Sequence, residues 1–208
     1  MMATRVRERK SPRQERSKVM VEAILEAASQ VFAELGYARA TTNKIAERAG
    51  VSVGSLYQYF PNKDCLIASL HGEHQAKIHR VIEKALRRFG DHSMSLEDGL
   101  RLLLDELNQV HEDDPTLTKA LSREVMRESE VGERVHDGEE EAEKLKQLFS
   151  LLFNRPDVRD GNHTIIAAIM GQVIGHLTRW LQHDAPSDLE QRALREETIQ
   201  LLVRYLKK

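Results

Sequence analysis

Apolar residues recur at three and four from Ser17 onward: Val21, Ile24, Leu25, Ala28, Val31, Phe32 and Leu35 form one stripe that stops at Gly36. That period predicts an amphipathic first helix of about five turns. Thr41 and Thr42 then offer N-caps for a short second helix, Asn43 to Ala49, with Ile45, Ala46 and Ala49 as its apolar members and Gly50 at its end. Ser52 caps a third, Val53 to Phe60, closed by Pro61, which has no amide hydrogen and disfavours helical geometry in the residue before it. Asn62 caps a fourth, with Asp64 near its positive end, running through Leu66, Ile67, Leu70, Ile78, Val81, Ile82 and Leu86 to about Arg88.

Past a loop at Gly90 to Ser95, helices are expected near 95–112, 115–128, 131–153, 162–183 and 187–206, with Pro115, Pro156 and Pro186 in the breaks. No segment carries the Val/Ile/Thr alternation of a strand, and the chain has no internal repeat. The expected fold is therefore all-α, with about nine helices. It divides into a basic arm at 1–16, a three-helix helix-turn-helix domain at 17–62 and a larger helical domain at 63–208.

Composition agrees with a soluble globular protein: 40% hydrophobic and 31% charged residues with only 5 Pro are neither disordered nor collagenous. The single Cys65 rules out an internal disulfide framework and reads as a small core residue, consistent with a reducing compartment. There is no pairing of a basic segment with an apolar run as in a signal peptide. The longest apolar stretch, Ile165 to Leu177, is 13 residues broken by Gln172, against the roughly 20 needed to cross a bilayer. A cytoplasmic protein without a membrane partner is expected.

Charge changes the picture further. Residues 1–63 hold 11 Lys/Arg against 6 Asp/Glu, whereas 64–208 hold 20 against 27. A basic N-terminal third joined to an acidic remainder is what a polyanion-binding module on a second module looks like. Arg5, Arg7, Arg9, Lys10, Arg13 and Arg16 concentrate that charge in the arm.

The chemistry lies between Thr42 and Phe60. Ala46 is small enough for two helices to cross closely, Gly50 permits the positive φ of a tight turn, and Val51, Leu56 and Phe60 can anchor the third helix on the second. The outward face then offers Ser52, Val53, Gly54, Ser55, Gln58 and the two tyrosines, Tyr57 and Tyr59, with Lys63 just after. A helix entering the major groove of double-stranded DNA needs short residues near its N-terminus and hydroxyl or amide groups for base edges and phosphates. Hydroxyls and Lys63 suit phosphates; Asn43, Val53, Ser55 and Gln58 suit bases.

Residues 17–70 resemble the DNA-binding domain of the TetR/AcrR family of bacterial repressors. The matching positions are Ala27-Ala28, Phe32, Gly36-Tyr37, Thr41-Thr42, Ile45-Ala46, Ala49-Gly50-Val51-Ser52, Gly54-Ser55-Leu56-Tyr57-Gln58-Tyr59-Phe60 and Lys63. The resemblance implies phosphate contacts at Thr42, Tyr57, Tyr59 and Lys63, and base reading or close approach at Asn43, Val53, Gly54 and Ser55. Position 43 is often basic in relatives that read a guanine there; Asn43 suits adenine instead.

The resemblance also implies that the remainder binds a small effector and dimerises through the last two long helices. Ala167, Gly171 and Gly175 recur every four residues, a spacing that lets helices approach closely, and Leu194, Leu201, Leu202 and Tyr205 lie on one stripe of the last helix. These seven are the expected dimer contacts. Expected pocket residues among the fourth to eighth helices are His74, Leu103, Leu107, His111, Glu124, Val125, Phe149, Met170, Gln172, His176 and Trp180, a lining suited to a largely apolar effector.

No phosphate-binding glycine loop, dinucleotide fingerprint, nucleophile elbow or paired zinc-histidine motif is present, so neither catalysis nor a cofactor is expected. His71 and His74 stand three apart, but two ligands do not make a metal site. The expected function is a ligand-responsive repressor released from a pseudo-palindromic operator. The alternative is an effector-insensitive regulator or activator whose C-terminal domain recruits a partner.

Overall fold

The computed structural model describes residues 12–89, 94–121, 146–183 and 187–208. The named elements among the described residues are all α-helices: α1 Pro12–Arg39, α2 Thr42–Ala49, α3 Val53–Tyr59, α4 Lys63–Phe89, α5 Leu96–Glu112, α6 Pro115–Ala120, α7 Ser150–Phe153, α8 His163–His183 and α9 Asp188–Leu206, with one isolated antiparallel bridge between Val158 and Lys207. The first helix starts earlier than its apolar stripe does, so residues 12–16, expected in the arm, are helical. Pro12 supplies the reason: proline is favoured in the first turn, where its missing amide hydrogen has no helical partner to lose. The rest of the expected arm lies outside the described residues, as do the expected helix beyond Leu121 and the first part of the one over 131–153.

Local chemistry sets the boundaries. Thr41 accepts from the Lys44 amide at 3.3 Å, Ser52 from Ser55 at 3.0 Å, Asn62 from Cys65 at 2.9 Å, and Ser95 from Asp98 at 3.1 Å. Ser187 and Glu190 close a reciprocal capping box on α9. Gly50 ends α2 with φ 67°, the left-handed geometry that only glycine adopts without strain.

Two apolar clusters hold the chain. The first gathers Ile24, Ala28, Phe32, Ile45, Ala46, Leu56 and Phe60 from α1–α3, and it extends to Leu66, Ile67 and Leu70 on α4. Ala120 of α6 is fully buried in that same cluster, flanked by Leu117 and Leu121. The second joins the C-terminal half of α4 to α5, α7, α8 and α9 through Leu100, Leu103, Leu107, Phe149, Met170 and Ile199, among others. Because α4 is one unbroken helix, its first turns complete the N-terminal cluster and its last turns begin the C-terminal one.

On the surface, Arg101 grips Glu196 at 2.6 and 3.0 Å and Arg195 meets Asp105 at 3.0 Å, pairing α5 with α9. Such exposed pairs contribute roughly 0–1 kcal/mol each, so apolar burial carries the packing. At the end of the chain, the Arg159 amide donates to the Leu206 carbonyl at 2.7 Å and the Lys208 amide to Asp157 at 3.1 Å, pinning the end of α9 against the α7–α8 loop. Among the described residues no helix is long and apolar enough to cross a membrane.

Candidate DNA-reading surface

The second and third helices form a compact reading head. Leu56 is the inner anchor of α3, with no exposed surface, and Phe60 seals the end of the helix. Arg48 of α2 reaches back to α1 and holds both carboxylate oxygens of Glu34, at 2.8 and 2.7 Å. With Leu56 turned inward, the opposite side of α3 and its cap are left to solvent: Ser52, Val53, Gly54, Tyr57 and Gln58 are exposed and Ser55 is half-buried. Asn43 is exposed at the start of α2, next to half-buried Thr42.

The polar groups of this surface are mutually braced. The Tyr57 and Thr42 hydroxyls lie 3.0 Å apart, tying the recognition helix to the first turn of α2. The Ser17 hydroxyl donates to the Tyr59 hydroxyl at 3.3 Å, which brings the start of α1 beside the end of α3. Ser52 and Ser55 share a hydroxyl contact at 2.8 Å. Lys63 donates to the Tyr37 carbonyl at 2.9 Å, and its ammonium stands 3.8 Å from the centre of the Tyr37 ring. Tyr37, which follows Gly36 in a pair that matches the family, is thus a member of the site that residue patterns did not single out. Its partners are 26 and 27 positions away, beyond any local spacing rule.

Two family profiles match this chain: bacterial regulatory proteins of the tetR family over residues 24–70, and the tetracyclin repressor-like C-terminal domain over residues 95–206. The chain belongs to the TetR family. TetR relatives include the HTH-type transcriptional repressor KstR of Mycolicibacterium smegmatis, 27% identical over 78% of this chain and 76% of that protein. The fatty acid metabolism regulator protein of Bacillus subtilis is 28% identical over 92% of this chain and 96% of its own length. A solved structure of the regulator FadR from Bacillus subtilis in complex with stearoyl-CoA shares the fold, with a TM-score of 0.64 and 24% identity over 88% of this chain and 97% of that one. The family and these relatives are transcriptional regulators.

Within this TetR fold the expected pocket residues separate. Leu103, Leu107, Phe149 and Met170 are buried together in the C-terminal cluster. His74 is buried on α4 with its ring 5.0 Å from that of half-buried His111 on α5. Gln172 and His176, by contrast, are exposed on the outer face of α8 and do not reach the interior. Their positions follow the helical period: Ile165, Ile169, Gln172 and His176 share one side, opposite buried Ile166, Met170 and Ile174. Glu124 and Val125 lie outside the described residues, as does the side chain of Trp180.

The expected dimer contacts divide as well. Ala167 and Leu202 have essentially no exposed surface and belong to the core of the chain itself, so they have nothing to offer a partner. Gly171, Gly175, Leu194 and Tyr205 are half-buried. Leu201 is 57% exposed, and two residues not singled out by sequence join it: Ile165 at 56% and Ile169 at 41%. The small-residue spacing on α8 begins with close packing inside one chain, while β-branched isoleucines occupy the open side.

Burial pushes the His74 imidazole below the ordinary histidine range, aided by the charges of His71 and Lys77 and opposed by Asp114. His74 therefore protonates more readily in the unfolded chain. Its contribution to stability is full above about pH 6.5 and is lost progressively as the pH falls from there through the lowered value of the folded state. Thermal unfolding of the wild type and His74→Gln from pH 8 to pH 5 should show a steeper acid loss of Tm in the wild type. Parallel curves would mean that His74 does not carry this dependence.

Proposed function

We propose that the protein is a ligand-responsive transcriptional repressor: a homodimer whose two reading heads hold a pseudo-palindromic operator and release it when a largely apolar effector enters the C-terminal domain. The observation that carries this reading is the two-sided recognition helix. Leu56 and Phe60 fix α3 from behind, and Val53, Gly54, Ser55, Tyr57 and Gln58 are offered outward. Short residues at the start of α3 let its backbone approach a base pair closely. Asn43, Ser55, Gln58 and Val53 are assigned to bases, and Thr42, Ser52, Tyr57, Tyr59 and Lys63 to phosphates.

In a two-fold dimer the heads meet successive half-sites one DNA turn or a multiple apart. Ile165, Ile169 and Leu201, with Gly171, Gly175, Leu194 and Tyr205 beside them, are the residues assigned to the dimer contact. An apolar surface of this kind on the helices that the family uses for pairing supports that assignment.

The effector reading rests on the apolar cluster around Leu103, Leu107, Phe149 and Met170, with the His74–His111 pair at its edge toward α6. The relative in Bacillus subtilis named for fatty acid metabolism, and the stearoyl-CoA held by a protein of the same fold, favour a long-chain acyl thioester. Stearoyl-CoA, stearate and coenzyme A, each added to the dimer, form the test. Stearoyl-CoA should raise Tm and weaken operator binding by the same factor by which operator weakens stearoyl-CoA binding, as linkage requires. Operator affinity unmoved by saturating ligand would instead favour the effector-insensitive regulator.

A further inference from the structure

We propose that Tyr37 is a positioning residue for Lys63, fixing the ammonium where it meets the DNA backbone before DNA arrives. The inference rests on the assignment of Lys63 to a phosphate. Gly36 has φ 71° and ψ 170°, a conformation outside the helix that interrupts α1 one residue before Tyr37. Tyr37 then meets the first turn of α4 with three parts of itself. Its carbonyl accepts from the Lys63 ammonium at 2.9 Å, its ring face lies 3.8 Å from the same ammonium, and its hydroxyl donates to Asp64 Oδ1 at 2.6 Å.

The far edge of the ring is thus anchored to the residue next to the lysine that the ring face attracts. Behind it the Phe32 ring lies nearly parallel, 6.2 Å between centres and 9° between planes, so the tyrosine is held from the core side as well. A lysine ammonium has three N–H donors. One goes to the carbonyl and a second is drawn to the ring face, which leaves the third direction for a phosphate oxygen. A long, flexible side chain that would otherwise be ordered only on binding is ordered in advance.

The test is a double-mutant cycle on a duplex that the wild-type protein selects from a random double-stranded library, with affinity measured at several salt concentrations. Lys63→Ala should weaken binding across sequences and lower the salt slope by about one. Tyr37→Leu should weaken the wild type about two- to fivefold, the range expected for loss of an exposed cation–π contact, and cost nothing further in the Lys63→Ala background. Tyr37→Phe keeps the ring and carbonyl but gives up the Asp64 anchor, so its loss should be smaller than that of Tyr37→Leu. Should the leucine variant fail to fold, Tyr37→Met takes its place in the cycle.

Equal losses in both backgrounds, or a phenylalanine variant as weak as the leucine one, would overturn the positioning role while leaving the phosphate contact standing. Lys63→Ala with unchanged affinity and slope would remove the phosphate contact and the proposal together.

Discussion

Ile165→Glu combined with Ile169→Glu is expected to convert the proposed dimer to a monomer and to lower operator affinity about 100-fold or more. Both isoleucines stand on the open side of α8, 56% and 41% exposed in the single chain, so the substitutions leave the buried residues of that helix untouched. Four like charges brought together across a two-fold axis would have to be desolvated or pushed apart, and either outcome disfavours pairing. The loss on DNA follows from linkage of two heads: a tethered second contact adds about 10²–10⁴ over one head alone. Light scattering after gel filtration reads the first effect and operator titration the second. A double variant that remains a dimer at micromolar concentration would show that pairing uses another surface.

Leu56→Ala carries the other large effect, through stability. Leu56 is fully buried and is the inward anchor of a seven-residue helix. Truncating a buried leucine costs about 2–5 kcal/mol, combining lost transfer energy with the cavity left behind. A helix this short has almost no stability of its own, so without its anchor α3 should lose its place on α2. Specific operator binding should disappear, while the C-terminal cluster, which includes no residue of α3, should stay folded and leave the proposed dimer assembled. Hydrogen exchange would show fast exchange confined to α2 and α3. Wild-type operator affinity with a Tm shift below about 2 °C would mean that the site closes around the smaller side chain.

These effects depend on parts of the molecule that the sequence discloses unequally. Helix starts and stops are legible because their causes are local: Thr41, Ser52, Asn62 and Ser95 each bond an amide three positions on, and Gly50 takes the one backbone geometry its neighbours could not. The reading head is legible for a similar reason, since its small, apolar and polar positions alternate within a span of about five helical turns. What escapes is whatever depends on orientation or distance. The eighth helix is apolar nearly all round, so period alone does not say whether Ala167 or Ile165 faces inward, and of the three small residues spaced by four, Ala167 is buried in the chain's own core while Gly171 and Gly175 are half-buried. The contact between Tyr37 and Lys63 crosses two helices, and no spacing rule reaches that far. The partial burial of His111 beside His74 is equally invisible until α4 and α5 are side by side.

The burial of Ala120 in the N-terminal cluster has a consequence for portability. A segment encoded in the second half of the chain packs on α1 and forms part of the N-terminal cluster, with Leu117 and Leu121 on either side of Ala120. A fragment cut at the end of α4 would expose the apolar floor of α1 that these three residues cover. The DNA-reading unit is therefore not a contiguous cassette. Transplanting it onto another regulator requires carrying residues 115–121 along, or supplying a helix of matching shape in the recipient.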